Sequence, residues 1–256
     1  MNLPVPSASV AIKSHSFFGA VTPYVHPLLW STELQLKRSV WGRIFCSPEF
    51  RLVYFRVPKS ASSTIALTLA HRMGVSDASD LTGARSKKVG KKLLQASFLF
   101  PHRLDRTFTF TFVRNPFTRV LSAYLDKIAT RTTKFQKILG LDDRAISFRE
   151  FLERLDDGYL MKNVHWAPQS GLIPVAPGQL SFLGRVETIE PDLCEVMERI
   201  FGPGENRIFR RTAGATGAKD RLGEFYGKYE SDLVRKLYRR DFERFYPDAA
   251  DPIAAS

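Results

Sequence analysis

Arg51–Met73, RLVYFRVPKSASSTIALTLAHRM, decides the fold. Leu52, Val53, Tyr54, Phe55 and Val57 form a short β-branched and aromatic run, the composition of a buried strand. Pro58 stops it, and Lys59-Ser60-Ala61-Ser62-Ser63-Thr64 follow, small and hydroxylated around one lysine. Ile65, Leu69 and Met73 then recur every fourth residue, with Ala66 and Ala70 beside them, which is one face of a helix. A strand, a small-residue turn and a helix start aim backbone N–H groups at one spot, and such a spot attracts an anion, most often a phosphate. A Walker A loop it is not: that loop carries glycines and ends on its lysine, whereas here the lysine comes first and no glycine is present. Alone, the same residues also fit an ordinary strand-to-helix connection capped by Ser62 or Ser63, with Lys59 in solvent.

A second unit of this kind lies downstream. Thr107–Val113, TFTFTFV, alternates Phe with Thr and is the clearest strand pattern in the chain. Arg114-Asn115-Pro116 ends it, because Pro116 forbids helical geometry at Asn115 and suits the first turn of a helix. Phe117, Leu121 and Tyr124 then share one helical face. Arg114 leaves the carboxyl end of the strand and Ser122 lies about two helical turns on. If the turn folds back, a guanidinium fork and a hydroxyl reach one phosphate. Ligands of open α/β sheets sit beyond the carboxyl ends of the strands, where the Lys59 turn also lies. Two anion sites on one edge suggest one ligand with two separated phosphate-like groups.

The remaining chain supports an α/β protein with a parallel sheet covered on both faces. Residues 1–45 read as an irregular N-terminal arm, with a short helix between Pro27 and Phe45, and Cys46-Ser47-Pro48 as a turn feeding the first strand. Ser76–Lys92 reads as a basic surface excursion. Ser147-Phe148-Arg149-Glu150 has the form of a capping box. Leu180–Val186 reads as a strand, Glu190–Phe201 as a helix and Ile208-Phe209 as a short edge strand, with a basic-ended loop over Arg210–Lys219. A final helix is expected over about Ser231–Tyr246. No repeat and no internal domain boundary stands out, so 46–250 reads as one domain.

At 256 residues the chain can bury a substantial core, and its net charge of +12 favours anionic partners. Two cysteines far apart, Cys46 and Cys194, suggest neither a disulfide framework nor a zinc site. With no apolar run of spanning length and no signal-like leader, a cytoplasmic location is expected.

Two blocks resemble a known family. Val57–Thr64 resembles the 5′-phosphosulfate loop of sulfotransferases that use 3′-phosphoadenosine 5′-phosphosulfate (PAPS), and Phe112–Tyr124 resembles their 3′-phosphate motif. His165-Trp166-Ala167-Pro168-Gln169, Phe182–Thr188 and Tyr238–Phe242 are similar to blocks of the carbohydrate sulfotransferase branch, in the family's order. Many members carry Gly where Ala61 stands, and since Ala disfavours positive φ a right-handed path is expected there. The resemblance implies a P-loop-like sulfotransferase fold over 46–250 and sulfuryl transfer from PAPS to a carbohydrate hydroxyl. It implies Lys59 at the bridging oxygen, and the backbone of Ala61–Thr64 with Ser60, Ser62, Ser63 and Thr64 at the 5′-phosphate. Arg114 and Ser122 would hold the 3′-phosphate, and Arg210, Arg211 or Lys219 would close over the nucleotide. No metal is implied. The base that takes the acceptor proton would be His102 or His165, with Glu187 a third candidate. The implied partner is a carbohydrate acceptor, acidic ones included, rather than nucleic acid; contact with a membrane surface stays open. The rival readings are a P-loop-like nucleotide kinase, which would want a Walker A pattern and Mg²⁺-binding acids, and a non-enzymatic polyanion-binding protein.

Overall fold

The computed structural model describes residues 22–74, 106–130, 133–141, 144–204, 207–209 and 216–252. Along them run α1 (Leu34–Trp41), β1 (Ile44–Ser47), β2 (Leu52–Phe55), α2 (Ser62–Arg72), β3 (Phe108–Val113), α3 (Pro116–Lys127), α4 (Thr133–Ile138) and α5 (Phe148–Arg154). Then come β4 (Phe182–Arg185), α6 (Ile189–Phe201), α7 (Leu222–Phe225), α8 (Lys228–Leu237) and α9 (Arg239–Phe245). The strands form one sheet in the order β1-β2-β3-β4, with β2, β3 and β4 parallel and β1 antiparallel at the edge.

Period-two alternation sorts each strand between two cores. In β2, Leu52 and Tyr54 face Ile65 and Leu69 of α2 and Leu193, Val196 and Met197 of α6, while Val53 and Phe55 face the larger core built on α3, α5 and α8. In β3, Phe110 and Phe112 join the first group, and Phe110 stacks on Tyr54 with ring centroids 4.7 Å apart. The threonines between them point the other way, and carbonyls satisfy their buried hydroxyls: Thr111 Oγ1 donates to Phe55 O at 2.7 Å and Thr109 Oγ1 to Gln179 O at 2.8 Å. Burial of each such Phe stabilises the sheet by roughly 1.5–3 kcal/mol. The carboxyl ends of β2 and β3 are thereby fixed side by side.

Four expectations are corrected. Ile44–Ser47 is a strand, not merely a turn: a hairpin through Arg51 at φ 48° pairs Cys46 with Val53. The expected boundary at residue 45 therefore falls inside β1, and Leu29, Leu36 and Val40 of the expected arm lie in the larger core. Ile208-Phe209 is not a strand; Ile208 packs against the smaller core and Phe209 N donates to Thr68 Oγ1 at 3.2 Å. The last helix breaks at Tyr238 (φ −110°, ψ 22°), whose hydroxyl donates to Trp166 O at 2.5 Å. At Ser147 only half of the capping box forms: its Oγ accepts from Glu150 N, while the Glu150 carboxylate pairs with Arg144. Among the described residues no helix is long and apolar enough to cross a membrane, and Cys46 and Cys194 are not joined in a disulfide.

Candidate active site

The lysine turn departs from the expected path. Lys59 has φ 69° and Ala61 φ 52°, so the loop is left-handed at two residues that carry a Cβ, rather than right-handed at Ala61. Each such residue costs about 1–2 kcal/mol. The strain persists because the surroundings over-determine the turn. Arg119 Nε donates to Pro58 O at 3.1 Å, Ser60 Oγ donates to Gln169 Oε1 at 3.0 Å, and Arg114 Nη1 reaches Lys59 O at 3.3 Å. The helix that follows starts with Ala61 at its N-cap, no side-chain cap and no acid in its first turn. Neither Ser62 nor Ser63 caps it, unlike in an ordinary strand-to-helix connection, so the leading N–H groups stay open to a ligand.

Lys59 Nζ lies 2.8 Å from Asp126 Oδ2 near the end of α3, and Lys127 Nζ binds the same oxygen at 2.9 Å. Burial lowers the lysine pKa from its usual value, and the Asp126 hydrogen bond and charge oppose that fall. For Asp126 burial works against ionisation, but the hydrogen bonds from Lys59 and Lys127 outweigh it and hold the carboxyl below its usual value.

The arginine turn touches the lysine turn. Asn115 Oδ1 caps α3 by accepting from Phe117 N at 3.0 Å, with Pro116 at the first helical position. Arg114 donates from Nε to Thr118 Oγ1 at 3.0 Å as well as from Nη1 to Lys59 O. Burial is the main influence lowering its pKa, with Glu187 the leading opposing charge. Ser122 sits one turn beyond Thr118 on the same face, buried, and accepts from Thr216 Oγ1 at 3.0 Å. Glu187 receives Asn115 N at 2.9 Å and the Tyr246 hydroxyl at 2.8 Å, so both its oxygens hold the turn in place.

The segment 164–170 fastens both turns from below. Arg119, 1% exposed, donates to the carbonyls of Pro58, Ala167 (2.9 Å) and Val164 (3.2 Å). His165 Nδ1 lies 2.7 Å from Asn163 Oδ1, an acceptor, which places the proton on Nδ1 and leaves Nε2 unprotonated. Burial above all, then Arg43, Lys127, Lys59 and Arg119, lowers its pKa to about 3. Asp241, delivered by the break at Tyr238, accepts from Gln169 N at 2.7 Å and Ser170 N at 2.8 Å.

Lys59, Ser60, Ala61, Ser62, Ser63, Thr64 and Arg114 thus gather at the ends of β2 and β3, with Ser122 on the adjoining helix face and His165 beside the lysine. His102, Arg210 and Arg211, and the basic cluster between Arg85 and Lys92, lie outside the described residues. Sequence reasoning missed Asp126, Arg119 and Asp241 as parts of this site. Gln169 ends a family-like block, but its partners are 55 and 109 residues away, so spacing carries no sign of its role.

Two abutting cationic turns at the carboxyl ends of a mostly parallel sheet, beside an uncapped helix start, define an α/β protein with a candidate anion-binding site. The sulfotransferase family's sequence profile matches residues 42–247, and the chain belongs to that family. Carbohydrate sulfotransferase 14 of Homo sapiens is 28% identical over 72% of this chain and 53% of its own length. Its namesake in Danio rerio is 28% identical over 86% of this chain and 66% of its own length. Carbohydrate sulfotransferase 9 of Homo sapiens is 22% identical over 81% and 52%. The chain therefore spans about half to two thirds of the length of these relatives. No solved structure gives a significant match.

Proposed function

We propose that the protein transfers a sulfuryl group from PAPS to a hydroxyl of a carbohydrate. The observation that carries this is the contact between the two turns, Arg114 Nη1 to the backbone oxygen of Lys59 at 3.3 Å, which supports a single bisphosphorylated nucleotide as the ligand of both. The names of the similar proteins support a carbohydrate acceptor. A kinase is disfavoured because the lysine turn lacks the Walker A glycines.

In this reading the N–H groups and hydroxyls at the start of α2 hold the 5′-phosphate, and Arg114 with Ser122 holds the 3′-phosphate. The acceptor oxygen attacks sulfur in line as the bond from sulfur to the bridging oxygen breaks. The electron pair leaves on the 5′-phosphate of 3′-phosphoadenosine 5′-phosphate (PAP), where Lys59 stabilises the developing charge. The hydroxyl proton passes to a base. His165 suits that role poorly, because a group with pKa about 3 is a weak proton acceptor near neutrality. Bound anions would offset the nearby cations, but burial, the largest cause, would remain. His102 is therefore the base we favour, with His165 packing against Phe135 (ring centroids 5.2 Å) as a structural neighbour of Lys59.

The test is transfer from labelled PAPS to a panel of neutral and acidic glycans, with the new sulfate located by mass spectrometry. Lys59→Ala and Arg114→Ala, checked for folding, should each lower transfer by at least about a hundredfold. Undiminished transfer in both, or no transfer by the parent protein to any glycan, would remove the proposal.

A further inference from the structure

Gln169 is fully buried at the junction of the two turns. Its Oε1 accepts from Ser60 Oγ at 3.0 Å and from Arg114 N at 2.9 Å, and its Nε2 donates to Arg114 O at 2.8 Å. The opposite amide orientation would set an N–H group against the Arg114 N–H, so this pattern fixes the orientation. The backbone of Gln169 is fixed in turn, because the two oxygens of the fully buried Asp241 take the N–H groups of Gln169 and Ser170. One uncharged amide thus ties the lysine turn to the arginine turn, and the break between α8 and α9 supplies the anchor behind it.

We propose that Gln169 is a positioning residue that sets the separation of the two anion-binding turns. It thereby selects a ligand with two anionic groups at a fixed spacing over a ligand with only one. The inference rests on the reading of the site given above, in which that ligand is a 3′,5′-bisphosphorylated adenosine. A ligand that engages two rigidly spaced sites gains from their preorganisation, and a ligand that engages one does not. Loosening the spacer therefore weakens the double grip selectively, whereas a general loss of packing weakens both ligands alike.

The experiment is calorimetric titration of PAP and of adenosine 5′-phosphate, without divalent cations, into the parent protein, Gln169→Leu and Gln169→Glu. In Gln169→Leu the PAP affinity should fall roughly tenfold or more and that of adenosine 5′-phosphate by less than about threefold, lowering the ratio between them. Gln169→Glu keeps the size and both accepting positions, but in place of the donation it sets a buried carboxylate oxygen against Arg114 O, so its ratio should fall as well. It carries the test if the leucine variant does not fold. An unchanged ratio in the folded variants would overturn the proposal. A parent protein that binds both nucleotides equally would instead overturn the ligand assignment beneath it, and that failure shows before any variant is made.

Discussion

Replacing Arg119 with Met tests how the lysine turn is held. The guanidinium is 1% exposed and donates to three carbonyls, those of Pro58, Ala167 and Val164, at 3.1, 2.9 and 3.2 Å. Burial lowers its pKa, and Tyr238 and Asp241 only partly oppose this, so carbonyl dipoles rather than an ion pair hold the charge in the interior. Methionine fills most of the volume without a donor, leaving three acceptors to compete for water that cannot easily enter. Each orphaned buried group costs about 1–3 kcal/mol, and relief of the arginine's own desolvation offsets part of the sum. The net loss should be roughly 3–5 kcal/mol, the part of the cost of three orphaned carbonyls that the relieved desolvation does not offset. At about 2–4 °C per kcal/mol for a chain of this size, Tm should fall by roughly 6–20 °C. Urea unfolding at fixed pH, with an unchanged slope and a lower midpoint, is the assay. Arg119→Lys, keeping the charge and one or two bonds, should lie between. A methionine variant within about 1 kcal/mol of the parent would mean that the carbonyls find partners unaided and that Arg119 does not hold the turn.

Further perturbations probe neighbouring parts. A Cβ built on Gly184 would lie 2.4 Å from Cε1 of the Phe112 ring, so Gly184→Ala should cost about 1–3 kcal/mol, read as a lower Tm; an unshifted melt would mean that the ring moves freely. Asp126→Asn removes the group that opposes the burial-induced fall of the Lys59 pKa, so the lysine should lose its proton at lower pH and the alkaline limb of kcat/KM should move down; a stationary limb would dissociate that limb from Lys59. His102→Ala should abolish the acidic limb of the rate profile, while His165→Ala, whose pKa of about 3 lies below the working range, should keep it; the reverse pattern would exchange the two roles.

Local pattern made much of the fold legible. The Phe/Thr alternation of β3, the apolar stripe of α2 and the Asn115-Pro116 start of α3 each follow from nearest neighbours in the chain, and the structure places them accordingly. The site was legible as far as its cations were, because Lys59 and Arg114 stand where strands end. What stayed hidden is non-local. β1 is four residues long and owes its strand state to pairing with β2. The left-handed Ala61 violates its own propensity and is stable only because Gln169, Arg119 and Arg114 hold the flanking residues. The break at Tyr238 interrupts a sound helical pattern, and its reason is tertiary: Tyr238 bonds Trp166 O and Asp241 bonds the Gln169 backbone. Asp126 looked like any polar residue near a helix end until the fold set it 2.8 Å from Lys59.

A crystal structure of the protein with PAP would show whether one ligand bridges the lysine and arginine turns. One nucleotide should lie across both, its 5′-phosphate on the N–H groups of Ser62–Thr64 beside Lys59 and its 3′-phosphate within hydrogen-bond reach of Arg114 and Ser122. A nucleotide that meets only one turn, or lies on another face of the sheet, would contradict this placement.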